Sequence, residues 1–322
     1  MKRMTAILLL LAMLLSLTSV SAEAPAPVRL GGLKGATTMG LVKLLEDNEA
    51  KTTLNTYDFT MGVTADELTP KLLQGEMDIL AVPANLAAVL YNNTKGQVKM
   101  LAVGALGVLY IVEKGGETVQ SIADLKGKTI YATGKGTTPE MSLTYLLSQN
   151  GLDINQDVTM EWMSEPTETV ARLSTQEAGV AMLPQPFATV ALTQVEGLRT
   201  ALSLEEEWNK LDNGSRLVTA AVIVRSEFAE KNPEAVANFL KDYENSVTWI
   251  NANVAEAAPL MEKYGIVKAP IAQKALPLCN LVALSGQDMK DAAQGYLQTL
   301  FDQKPQAVGG QMPGDDFYYG AP

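Results

Sequence analysis

The sequence predicts an α/β protein built as two similar lobes, and three observations carry that expectation. First, four segments run from a short apolar stretch through Gly or Pro punctuation into an amphipathic helical pattern: "VRLGGLKGATTMGLVKLL" (28–45), "MDILAVPANLAAVLY" (77–91), "KTIYATGKGTTPEMSLTYLL" (128–147) and "GVAMLPQPFATVAL" (179–192). Strands alternating with helices in this way build largely parallel sheets. Second, the order repeats. The first elbow leads through "TLNTYDFT" and "ADELTPKLLQGE" to the second, and the third leads through "QDVTMEWMS" and "TETVARLSTQE" to the fourth. Third, two apolar runs, "MLAVGALGVLYIVEKGGE" (100–117) and "LVTAAVIVR" (217–225), stand where the chain must cross between lobes and back.

The elements follow in chain order. Residues 1–22 have a basic start at Lys2 and Arg3, the apolar run "AILLLLAMLLSL" and small residues before Ala22. They are expected to be a secretory signal peptide cut after Ala22. A membrane anchor is the rival, but the apolar run is shorter than the ~20 residues a span needs. Lobe 1 is expected to occupy 27–105 and lobe 2 110–214, with 217–322 returning to lobe 1 and adding C-terminal helices. Asn232-Pro233 is a helix start, and Val236, Phe239, Leu240, Tyr243, Val247 and Ile250 then recur on one face. Further helices are expected over 255–264, 270–282 and 286–302, and Phe317, Tyr318 and Tyr319 would pin an irregular tail.

Composition excludes several functions. The formal charge is −11, and removing Lys2 and Arg3 takes it to −11 − 2 = −13. A chain this acidic is a poor partner for nucleic acid. The chain has 0 histidines and 1 cysteine, Cys279. That removes Ser-His-Asp and Cys-His catalysis, the commonest metal ligand and any internal disulfide. No cofactor is expected. The apolar run is not followed by a cysteine for lipid attachment, so the mature chain is expected free in the periplasm or outside the cell.

The four elbows are the candidate binding residues, because ligands of such sheets sit beyond the carboxyl ends of the strands. Elbows one and three share a wording: Lys34-Gly35 before Thr37-Thr38, and Lys135-Gly136-Thr137-Thr138. A helix start offers unpaired N–H groups and partial positive charge, glycine admits a ligand close to the backbone, and threonine hydroxyls donate or accept. The competing reading makes these threonines helix caps. A nucleotide P-loop is excluded, since no glycine lies five residues before Gly134 and Gly136 stands where Ser or Thr is required. Pro83 and Pro184 close their strands beside Asn85 and Gln185, which would reach a ligand or satisfy local backbone. Tyr57 reads as part of a strand end, where it would stack on a planar ligand or pack in the core.

These segments, with "LLQGEMDILAVPANLAAV", "SIADLKGKTIYATGKGTTPE" and "FAEKNPEAVANFLKDYENSVTWI", resemble the substrate-binding proteins of ABC importers. The likeness is to the nitrate/sulfonate/taurine and thiamine-pyrimidine-precursor group of type 2 periplasmic binding proteins. It implies two lobes, each a mixed sheet flanked by helices, hinged by two crossing segments. It also implies a small polar or anionic ligand in the cleft, delivered by a monomeric carrier to a membrane permease and its ATPase. By position it carries ligand contact onto Gly35, Thr37, Thr38, Pro83, Asn85, Gly136, Thr137, Thr138 and Gln185. A distant relative of this group consumes its own histidine to make the thiamine pyrimidine, which this chain cannot do. A dehydratase-like enzyme on the same fold is the alternative function. None of Arg29, Arg172, Arg199, Arg216 and Arg225 falls in an elbow, so no bidentate arginine clamp is evident.

Overall fold

The computed structural model describes residues 26–321, so the expected signal peptide lies outside the described residues. Two sheets form the frame. The first comprises β1 (Val28–Leu33), β2 (Tyr57–Gly62), β3 (Ile79–Pro83), β4 (Val98–Ala105), β10 (Ala220–Arg225) and β11 (Leu281–Leu284), in the order β11-β4-β10-β3-β1-β2. The second comprises β5 (Leu109–Lys114), β6 (Thr129–Ala132), β7 (Thr159–Trp162), β8 (Gly179–Pro184) and β9 (Leu198–Ser203), in the order β7-β6-β8-β5-β9. Both are mixed: β1 pairs parallel with β2 and β3, β6 pairs parallel with β7 and β8, and β10 and β5 run antiparallel to their neighbours. The two orders superimpose as 2-1-3-10-4 on 7-6-8-5-9, which is the internal repeat in structural form.

The chain crosses at Leu106–Val108 and returns after the helix Leu204–Asn209 to enter β10. The two crossings are tied to each other, with the Thr219 N–H donating to Ala105 O at 3.0 Å and its hydroxyl donating to Leu106 O. Each crossing also pairs with the strand it enters beside: Ala220 is in register with Pro83, and Leu109 with Pro184. Central strands such as "ILAV" and "AAVIV" are buried on both faces and therefore read as unbroken apolar runs.

One apolar face of the helix Pro233–Ala252 (Val236, Phe239, Tyr243, Val247, Ile250) is buried as its spacing predicts. The expected helix over 270–282 is shorter. It spans Ala269–Ala275, passes through the 3₁₀ turn Leu276–Leu278 and gives way to β11. Pro277 lacks the N–H that would continue the α-helix, and Asn280 turns the chain at φ 42°. Cys279 is fully buried, 3.7 Å from Met39 Sδ, and burial pushes its thiol far above the ordinary range. The tail folds back on lobe 1, where Tyr318 bridges Met100 and Asn92 holds the carbonyls of Val308 and Gln311. No described helix is long and apolar enough to cross a membrane.

Candidate functional site

The carboxyl ends of β1, β2, β3, β6, β7 and β8 converge on a cavity of about 480 Å³ between the sheets. All four elbows contribute to its wall, through Leu33–Thr37, Pro83, Thr133–Lys135 with Thr137–Pro139, and Pro184, Gln185 and Phe187. The crossings form its floor with Val108, Leu109, Thr219 and Ala220. Lobe 1 adds Val63–Asp66, and lobe 2 adds Met163, Ser164 and Pro166.

Backbone bonds fix the two proline-ended elbows to the floor in matching fashion. The Ala84 N–H donates to Thr219 O at 3.2 Å, and the Gln185 N–H donates to Val108 O at 2.8 Å. The elbows then face one another crosswise. Elbow two meets elbow three: the Asn85 N–H donates to Thr138 Oγ1, and that hydroxyl donates to Asn85 Oδ1, both at 3.2 Å. Asn85 Nδ2 also reaches Ala307 O at 3.1 Å and Gly136 O at 3.5 Å. Elbow one meets elbow four: a methyl group placed at Gly35 would lie 3.8 Å from the Phe187 ring. Gly35 has φ 134° and ψ −155°, a conformation open essentially to glycine alone.

Of the residues singled out by sequence, Gly35, Thr37, Pro83, Thr137, Thr138 and Gln185 line the cavity. Thr38 and Asn85 lie behind the lining, at 0% and 1% exposure. Gly136 also stands outside the lining residues, with φ 78° and its N–H turned to Glu140 Oε2. Tyr57 begins β2 instead of ending it, so it stands at the opposite end of the strand from the cavity. Its hydroxyl donates to Asp242 at 2.7 Å and its ring packs edge-on to Phe239.

Nor are the elbow threonines simple caps. Thr37 and Thr38 both lie inside the first turn and donate to Leu33 O at 2.6 Å. Thr137 occupies the cap position of the helix Thr138–Gln149, but its hydroxyl donates back to Gly134 O at 2.9 Å. Residue types gave no warning of Val63–Asp66, Thr133, Met163 or Phe187. The repeat gave an indirect signal, because Thr133 directly follows the strand that matches β1.

Charge at the site is sparse. Lys34 from lobe 1 and Lys135 from lobe 2 line it, and neither has an ion-pair partner among the described residues. Among the described residues, Asp66 is the one lining carboxylate, and it is exposed. None of the described arginines lines the cavity. Arg29 and Arg225 are held by Asp78, Arg199 by Glu113, and Arg172 by Glu161. The remaining wall is largely apolar, so the cavity suits a ligand with a carbon body and a few acceptor atoms.

Two helix-flanked sheets, joined by two crossings around one cavity, match the architecture of the two-lobed periplasmic binding proteins. The model of the NMT1-like family matches residues 60–262, more than half of the chain, and the chain belongs to that family. A solved ABC transporter structure from Parabacteroides distasonis superimposes with a TM-score of 0.75 at 24% identity, covering 91% of this chain and 99% of that one. The periplasmic aliphatic sulphonate binding protein of Escherichia coli gives 0.70 at 17% identity, covering 90% and 92%. The periplasmic nitrate-binding protein of Synechocystis gives 0.60 at 15% identity, covering 77% and 70%. At these identities the likeness is one of fold. No curated protein sequence matches the chain.

Proposed function

We propose that this chain is the exported solute-binding component of an ABC import system, which captures a small organic anion or polar molecule between its lobes and hands it to a membrane permease. The observation that carries this reading is the cavity itself. It is walled by strand ends and helix starts from both lobes and floored by two crossings tied to each other. The fold relatives, a sulphonate binder and a nitrate binder among them, support the same class of role. The volume of about 480 Å³ favours an organic ligand over a bare inorganic ion.

Native mass spectrometry of the purified protein, followed by calorimetry with whatever co-purifies, tests the reading. A stoichiometric small molecule that rebinds without being altered is the expected result. Conversion of that molecule to product points instead to the dehydratase-like enzyme.

A further inference from the structure

Most hydroxyls around the cavity are already occupied as donors. Thr37 serves Leu33 O, Thr137 serves Gly134 O, Thr138 serves Asn85, Thr219 serves Leu106 O and Thr64 serves Glu67. Two buried side chains on the lobe 2 wall differ. Thr133 is 7% exposed, and its hydroxyl makes no hydrogen bond to the described residues. Gln185 is 1% exposed, and its carboxamide oxygen accepts from the Thr189 hydroxyl at 2.8 Å and the Thr189 N–H at 3.3 Å. That grip fixes which end of the amide is oxygen, and leaves the Gln185 NH₂ without a partner among the described residues. Both residues line the cavity. They follow directly on β6 and β8, which run parallel with Tyr131 opposite Ala181, so both sit at the same end of neighbouring strands.

Neither atom is sealed in a dry void, since neither belongs to the buried polar atoms that lack both a partner and solvent contact. A buried donor left unsatisfied is costly, and an acceptor brought by a ligand removes that cost.

We infer that Thr133 and Gln185 form a neutral donor pair that reads one oxygen acceptor of the ligand, with Thr189 as the residue that positions the carboxamide. This rests on the solute-binding reading above and deepens it. Discrimination between ligands lies in this pair, while the threonines of the two Lys-Gly elbows serve the backbone and the opposite lobe. The ligand class is an organic molecule with an apolar body carrying a carboxylate, sulfonate or carbonyl oxygen.

The test is calorimetry on the full chain with short alkanesulfonates, alkanoates and aminopyrimidines that lack oxygen. Gln185→Glu keeps an acceptor for Thr189 but replaces the NH₂ donor with a charged acceptor, and is expected to weaken oxygen-bearing probes tenfold or more. Thr133→Val keeps the side-chain shape and is expected to weaken them roughly 2- to 10-fold. Thr189→Val frees the carboxamide to flip. It is expected to move the preference between a sulfonate and the alkanoate of equal chain length toward unity, which a purely structural role would not do. Unchanged affinity and preference in all three variants, or binding confined to the oxygen-free aminopyrimidines, overturns the donor pair and leaves the solute-binding reading standing. A wild-type protein that binds no probe and carries no co-purified ligand overturns both.

Discussion

Single residues in this cleft work in ways their type does not announce. Thr138 looks like a ligand contact or a cap, yet its hydroxyl and Asn85 satisfy each other across the lobes. Thr138→Val strands both partners in a buried setting and is expected to cost about 1–3 kcal/mol, read by urea denaturation. An unchanged unfolding midpoint would remove the interlobe bond from the account. Gly35→Ala is expected to cost about 1–3 kcal/mol of backbone strain, since φ 134° is a region that L side chains avoid. The sequence did single out Gly35, Thr37, Pro83, Thr137, Thr138 and Gln185, which line the cavity, because glycine and proline mark where a strand must turn. It could not say which way each hydroxyl points, which depends on carbonyls such as Leu33 O and Gly134 O that only the folded turn brings near. It also misplaced Tyr57, whose aromatic character suits either end of an edge strand.

At the scale of elements, the central strands were legible as unbroken apolar runs and most helices by the periodicity of one buried face. β11 was hidden because "KALPLCNLVAL" is apolar at every spacing, and only Pro277 and the positive φ of Asn280 break the helix. The crosswise pairing of elbows was equally hidden, since a repeat in sequence does not specify the rotation between its copies. In lobe 2, Glu113 at the end of β5 is 3% exposed. Burial alone would raise its carboxyl, but bonds from Thr118, Val119 and Arg199 outweigh burial and hold it below the usual range. A carboxylate lowered in the folded state adds stability above its unfolded pKa of about 4.3 and loses it as pH falls through the lower folded value. Glu113→Gln is therefore expected to reduce stability by about 1–3 kcal/mol near neutrality, with the gap to wild type narrowing below about pH 4 in acid titrations of the unfolding midpoint. A pH-independent gap would show that the charge is not what matters.

For the whole molecule, two crossings and one shared cavity predict hinge closure, a shift between open and closed populations that ligand biases. Small-angle scattering with saturating ligand is expected to give a smaller radius of gyration, and an unchanged radius counts against large closure. The pairing of Asn85 with Thr138 places a hydrogen-bonded contact between elbows two and three, whereas a methyl group added at Gly35 would lie 3.8 Å from the Phe187 ring of elbow four. The tail adds a different kind of consequence. The second sheet is one unbroken stretch, β5 to β9, but the first needs β10, β11 and then Ala307 and Tyr318 laid against Asn85 and Met100. The second sheet can thus be completed from one continuous stretch, whereas the first needs both ends of the chain. Since domains generally fold as units, lobe 2 can acquire its structure while lobe 1 is still an open half-sheet lacking β10 and β11. A chain ended at Gln303 should retain a protease-resistant core from lobe 2 and yield fragments from lobe 1, because it lacks the contacts of Ala307 with Asn85 and of Tyr318 with Met100.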